Sequence, residues 1–202
     1  MQNSSTERGN GTIAEFQDRF YLIPSVREIR DLSTALASGS PYIHLSNTHI
    51  GNLKNLTERV HQAGKKASVN IELIGGFNLD RNGARFLKQI FHADVVMVSN
   101  PLLVKSLKKL GLYTILRVIL IDSLALENSV RMISETSCDA VELRPALYGM
   151  EYIDKLRQAR PDLAFFLAGF IHSSKIIEQA RSLRFKGVTL SDKCLWGPSK
   201  TK

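Results

Sequence analysis

The chain has 202 residues, 44% hydrophobic and 23% charged, which suits one globular domain with a sizeable core. No apolar run approaches the ~18 residues that cross a bilayer, and the polar start MQNSSTERGNGT lacks a signal peptide's apolar segment, so a cytoplasmic protein with no membrane partner is expected. A formal net charge of +8 favours polyanionic partners, nucleic acid first, and Cys138 and Cys194 lack metal-ligand spacing and read as reduced thiols.

Residues 1–12, rich in Ser, Asn, Thr and Gly, are expected to be a disordered tail. A single domain should run over 13–197, with 198–202 a frayed basic tail. Phe20–Ile23 reads as a first strand ending at Pro24. Val26, Ile29, Leu32, Leu36 and Ala37 then follow helical spacing. Tyr42–Leu45 is the second strand, with Asn47, Thr48 and His49 as its polar exit before a helix from Gly51 to Ala63. The third strand spans Lys66–Leu73, and Asp80 caps a helix to about Phe91.

The continuous apolar run Asp94–Val98 suits a strand buried on both faces. Pro101 opens the next helix, which Gly111 ends. Tyr113–Ile121 is the fifth strand, followed by a helix over Ser123–Glu135. The sixth strand, Asp139–Leu143, breaks at Pro145, and a helix is expected from Gly149 to Arg160. Phe165–Ala168 and Gly187–Leu190 close the count, with a helix capped at Ser173 between them. Almost nothing helical remains after Trp196. Eight strands alternating with helices predict an α/β protein, a compact (β/α)8 TIM-type barrel whose last helix is short or missing.

In such a barrel the C-terminal strand ends line the site. Arg117 stands in an apolar strand and needs a partner, one or both of Glu142 on the sixth strand and Glu72 on the third. Asn47, His49, Asn70 and Asp122 are further polar residues at strand exits. His44, His61 and His92 read as structural. Gly169, followed by a helix start, offers backbone N–H groups of the kind that hold phosphate, with Ser191 at the adjacent strand end. His172 adds a hydrogen-bonding group there. No HxH, HExxH, CxxC, Walker or GxGxxG pattern occurs, so neither a metal nor a cofactor is expected, and no residue stands out as catalytic.

The ordered pieces Pro24–Arg27, His49–Lys54, Gly64–Lys66 with Glu72–Gly76, Asn82–Ala84 with Phe86, Arg117 with Ile121–Ser123, Val141–Pro145, Gly169–Ile171, and Ser191 with Leu195–Trp196 are collinear. From about Phe20 to Trp196 the chain resembles the glycerol-3-phosphate-responsive antiterminator family, the glycerol uptake operon antiterminator regulators. The resemblance implies a cytoplasmic TIM-type barrel that senses glycerol 3-phosphate and binds leader mRNA of glycerol-utilisation genes, and is not an enzyme. It implies phosphate contacts from Gly169, Phe170, Ile171 and Ser191, with Arg117, Asp122 and Glu142 shaping the mouth. The chain departs from the family's usual pattern at Ala168, where Gly is usual, and at His172, where Arg is common. Two other readings stand beside this one: a small phosphosugar-metabolising enzyme using Glu72, Asp122 or Glu142, and a paralogue that has lost phosphate binding. Lysine and arginine groups Lys105–Lys108–Lys109, Arg81–Arg85–Lys88 and Arg181–Arg184–Lys186 are the candidate RNA-facing patches. Homo-oligomerisation is compatible with the sequence.

Overall fold

The computed structural model describes residues 19–78 and 80–197. The two expected tails, 1–12 and 198–202, lie outside the described residues. Eight parallel strands form a closed barrel: β1 Tyr21–Val26, β2 Tyr42–Leu45, β3 Lys66–Asn70, β4 Val95–Val98, β5 Tyr113–Ile119, β6 Ala140–Arg144, β7 Ala164–Ala168 and β8 Gly187–Leu190. Each pairs with its neighbours in chain order, and β8 closes on β1 through Tyr21↔Gly187 to Pro24↔Leu190. The helices are α1 Leu32–Leu36, α2 Ile50–Gln62, α3 Arg81–Gln89, α4 Pro101–Lys109, α5 Ser123–Glu135, α6 Ala146–Glu151, α7 Ile153–Ala159 and α8 Ser174–Ser182. Among the described residues after β8, a 3-10 turn, Lys193–Leu195, is what remains of an eighth βα unit. The fold is therefore the expected TIM-type barrel with a minimal last helix.

The strands sit where apolar residues cover both faces, and the core divides accordingly. One cluster fills the barrel with Tyr21, Ile23, Tyr42, Val95, Met97, Tyr113, Ile115, Ala140 and Phe166. The other packs the outward strand faces, such as Ile43, Val96, Leu116 and Leu167, against helix residues such as Leu53, Leu107 and Leu156. Inward and outward residues alternate along each strand because the side-chain period is two.

Several boundaries differ from the sequence reading, the fifth strand among them, which ends at Ile119 rather than Ile121. β1 continues through Pro24 to Val26, because the strand backbone accommodates proline and only one ladder donor is lost. Val26 therefore belongs to β1, and the helix expected from it shrinks to a 3-10 turn, Ile29–Asp31, plus α1. The third strand stops at Asn70, whose side chain accepts from the Glu72 N–H and turns the chain into a 3-10 turn. The helix expected over 149–160 begins at Ala146 and breaks at Tyr152 into α6 and α7.

Candidate functional site

A cavity of about 1090 Å³ opens at the C-terminal end of the barrel. Its wall includes Ser25, Arg27, His44, Asn47, Arg117 and Arg144 from β1, β2, β5 and β6 and their exits. The turn Gly169–His172 and Thr189–Asp192 complete it on the side of β7 and β8.

The floor is polar. Inward parity brings Arg117 of β5 opposite Glu142 of β6 in register, and the Arg117 Nε donates to Glu142 Oε1 at 2.9 Å. Of the two carboxylates weighed from the sequence, only Glu142 takes the arginine. The Arg117 Nη2 also points at the Met97 sulfur, 3.0 Å away. Glu142 is fully buried, and its second oxygen has no partner among the described residues. The His44 Nδ1 lies 3.1 Å from the Ser68 hydroxyl, while its Nε2 and the Thr189 hydroxyl lack partners among the described residues. Both residues are buried and line the cavity, so unspent hydrogen-bonding groups face into it.

The rim follows from the turn after β7. Gly169 has φ +82° and Phe170 φ +58°, two successive left-handed residues. A Cβ on Gly169 would meet nothing closer than 3.6 Å, so conformation rather than space requires glycine there. Phe170 bears the strain of a left-handed non-glycine residue, as turns at functional sites often do. No described residue accepts from the N–H groups of Phe170 or Ile171. Consecutive N–H groups in such a turn make an anion-binding concavity, and α8 begins just beyond it at Ser174. Ser191 is exposed beside them, its loop held by the Trp196 indole N–H donating to the Leu190 carbonyl at 2.9 Å. Ala168 is buried in β7 and does not line the cavity, so its methyl is not the surface an anion would meet.

The cavity wall thus gathers Asn47, Arg117, Gly169, Phe170, Ile171, His172 and Ser191 of the expected residues. Glu142 lies beneath it, behind Arg117. His49, Asn70, Glu72 and Asp122 are not in the wall, and local hydrogen bonds explain each. The His49 Nδ1 accepts from the Gly51 N–H at the start of α2, and its ring packs where Cβ atoms on Gly75 and Gly76 would sit. A two-residue ladder, Thr48–His49 with Ile74–Gly75, holds this corner. Asn70 caps the 3-10 turn, Glu72 accepts from the Ser99 N–H, and Asp122 accepts from the Ala125 N–H as the N-cap of α5. Orphan N–H groups at helix starts draw carboxylates and amides, each such cap contributing about 1 kcal/mol.

Thr189 and Arg144, polar residues at the ends of the last and sixth strands, line the wall as strand-end position suggests, but sequence reasoning missed His44, which it read as structural; inward parity on β2 was the signal that could have found it. His61, also read as structural, pairs with Asp94 at 2.8 Å. Among the described residues no group of three or more His, Cys, Asp or Glu is placed to hold a metal ion, and no helix is long and apolar enough to cross a membrane.

Burial, and then the Arg117 and Arg144 charges, hold His44 well below the ordinary histidine pKa, so it is neutral at pH 7. The unfolded chain takes up this proton near pH ~6.5 and the folded chain only at lower pH. The neutral histidine's contribution is therefore complete above that value and is lost as pH falls. Between pH 6.5 and 5, wild-type stability should fall more steeply than that of His44→Val, by up to about 1.4 kcal/mol per pH unit, as urea titrations at each pH would measure.

A family model described as "Glycerol-3-phosphate responsive antiterminator" matches residues 22–196. Among solved structures, the glycerol uptake operon antiterminator regulatory protein of Listeria monocytogenes superposes with a TM-score of 0.82 at 23% identity, covering 97% of this chain and 98% of that one. A glycerol uptake operon antiterminator-related protein of Thermotoga maritima gives 0.76 at 22% identity, over 88% and 98% of the two chains. An uncharacterized protein of Escherichia coli K12, YgcP, is 23% identical over 124 residues, 61% of this chain and 65% of that protein.

Proposed function

The chain belongs to the glycerol-3-phosphate responsive antiterminator family, and from that premise we propose that it is a glycerol-3-phosphate sensor that regulates glycerol-utilisation genes by binding their leader mRNA. The observation that carries the ligand half is the left-handed Gly169–Phe170 turn, whose open N–H groups face a cavity rimmed by Arg27, Arg117 and Arg144. Fixed donors and guanidinium groups suit a phosphate monoester. The glycerol hydroxyls would meet the unspent groups of His44 and Thr189 on the floor. Gly169, Phe170, Ile171 and Ser191 would hold the phosphate, with His172 at the edge.

Binding without turnover fits the commitments of the nearby acids. Glu142 serves Arg117, Glu72 the Ser99 N–H, and Asp122 the start of α5. Asp192, on the cavity wall, accepts from the Cys194 N–H. Ligand closure over the mouth would then bias the conformation that holds RNA.

For the RNA half, the three basic patches differ. Lys108 is paired with Asp139 at 2.6 Å, and Arg181 lies over the Phe20 ring and beside Glu178. Arg85 and Lys109 instead line a groove of about 430 Å³ between α3 and α4, whose bottom is Leu103, Leu107 and Leu110. We take these two, with the exposed Lys105 and Arg184, as the candidates to follow an RNA backbone. The protein would act in the cytoplasm, where such transcripts are made.

At about 100 times its Kd, glycerol 3-phosphate should stabilise the fold by about 2.7 kcal/mol. For a domain of this size that raises Tm by roughly 5–10 °C. Leader-RNA affinity should fall steeply with salt and depend on the ligand. No thermal shift, or RNA binding indifferent to glycerol 3-phosphate, would sink the proposal.

A further inference from the structure

Arg144 ends β6, half-buried, at the cavity wall. No hydrogen bond engages its guanidinium among the described residues; its one charged neighbour within ion-pair range is Glu142, 3.9 Å away. That carboxylate already accepts from Arg117 at 2.9 Å, so one buried negative charge stands between two guanidinium groups. Arg27 adds a third positive group to the same wall. Asp192 is the acid on that wall, and it accepts from the Cys194 N–H. The mouth therefore carries more positive than negative charge. Burial, together with repulsion from Arg117 and Arg27, pulls the Arg144 pKa down against the opposing pull of Glu142.

Arg144 is also placed where the anion would sit. Its Nε lies 3.8 Å from the position a Cβ on Gly169 would take, directly beside the turn that presents the Phe170 and Ile171 N–H groups. His172, at the far end of that turn, is exposed.

We infer that Arg144 is the cationic clamp of the mouth, donating its free N–H groups to a phosphate monoester dianion seated on the Gly169–Ile171 turn. This rests on the ligand reading proposed above and assigns the fixed charge to Arg144 rather than to His172. Anion binding places the missing negative charge between Arg144 and the turn and leaves Glu142 to Arg117. Glycine at 169 serves this contact by its left-handed backbone, which sets the turn beside the guanidinium.

The test is calorimetric titration of wild type, Arg144→Leu, Arg144→Lys and His172→Gln with inorganic phosphate and with glycerol 3-phosphate. Arg144→Leu should weaken both ligands about 30-fold, the loss of charge-assisted hydrogen bonds to one group. Arg144→Lys should fall between, since an ammonium keeps the charge but not the fork. His172→Gln should lose less affinity than Arg144→Leu, because His172 is exposed at the edge of the turn. Near-wild-type affinity in Arg144→Leu, or a larger loss in His172→Gln, overturns the assignment. Should Arg144→Leu not fold, wild-type affinity for phosphate in Arg144→Lys overturns the fork geometry. Wild type that binds phosphate but not glycerol 3-phosphate removes the ligand reading and leaves the clamp standing on the phosphate data. Wild type that binds neither removes both.

Discussion

Glu142→Gln is expected to cost about 3–5 kcal/mol of folding stability, because it leaves the buried Arg117 guanidinium without its counter-charge. Arg117 is only 6% exposed and Glu142 0%, so water does not restore the balance. The loss is a large share of the 5–15 kcal/mol typical of a domain. Removing both charges should cost far less. The double change Arg117→Met with Glu142→Leu fills the same space without burying an ion, and such replacements are often neutral or stabilising. Chemical denaturation of Arg117→Met, Glu142→Leu and the double variant measures the coupling, with Glu142→Gln beside them. A double variant no more stable than Glu142→Gln would show that the pair is not what holds this layer.

Phe166→Ala should destabilise the protein by about 3–5 kcal/mol, the usual penalty for emptying a buried aromatic site. Phe166 is 1% exposed and belongs to the cluster that fills the lower barrel with Tyr21, Tyr42, Met97 and Ile115. Its ring edge lies 3.1 Å from where a Cβ on Gly187 would stand, and the Tyr21 carbonyl lies 2.5 Å from the same point. The strand-closing seam therefore has no spare side chain to refill the hole, since Gly187 sits in register with both Phe166 and Tyr21. Thermal denaturation measures the loss. A cost near 1 kcal/mol would mean that the barrel collapses around the cavity.

These two layers explain a division of labour in the fold. Below, aromatic and aliphatic side chains close the barrel as a packed core. Above them one ion pair, a neutral histidine and two hydroxyls make a floor with unspent hydrogen bonds. The Gly169–Ile171 turn stands beside that floor, and Arg144 links the two by lying 3.9 Å from Glu142. Truncating Phe166 should act on stability first, and truncating Arg144 on ligand affinity first.

The sequence by itself determined the order and number of the strands, the barrel class and the minimal last helix. These depend on local periodicity and on local stop signals such as Gly111, Pro145 and Gly169, which act through backbone geometry wherever they stand. The Gly169 turn and the Arg117–Glu142 pair were legible for the same reason, as a glycine before a helix start and a charge stranded in an apolar strand. Only the tertiary structure decided which strand-end side chains reach the mouth. His49, Asn70, Glu72 and Asp122 are drawn to orphan N–H groups close by in the fold, while His44, Thr189 and Arg144 turn inward. Side-chain direction at a strand exit depends on the register of the closed sheet and on competition with helix caps, and both are settled by contacts far apart in the chain. Arg144 shows this most clearly. In the sequence it stands between Leu143 and Pro145 without a marked partner, and the pairing of β6 with β7 sets it beside Gly169, twenty-five residues further along the chain.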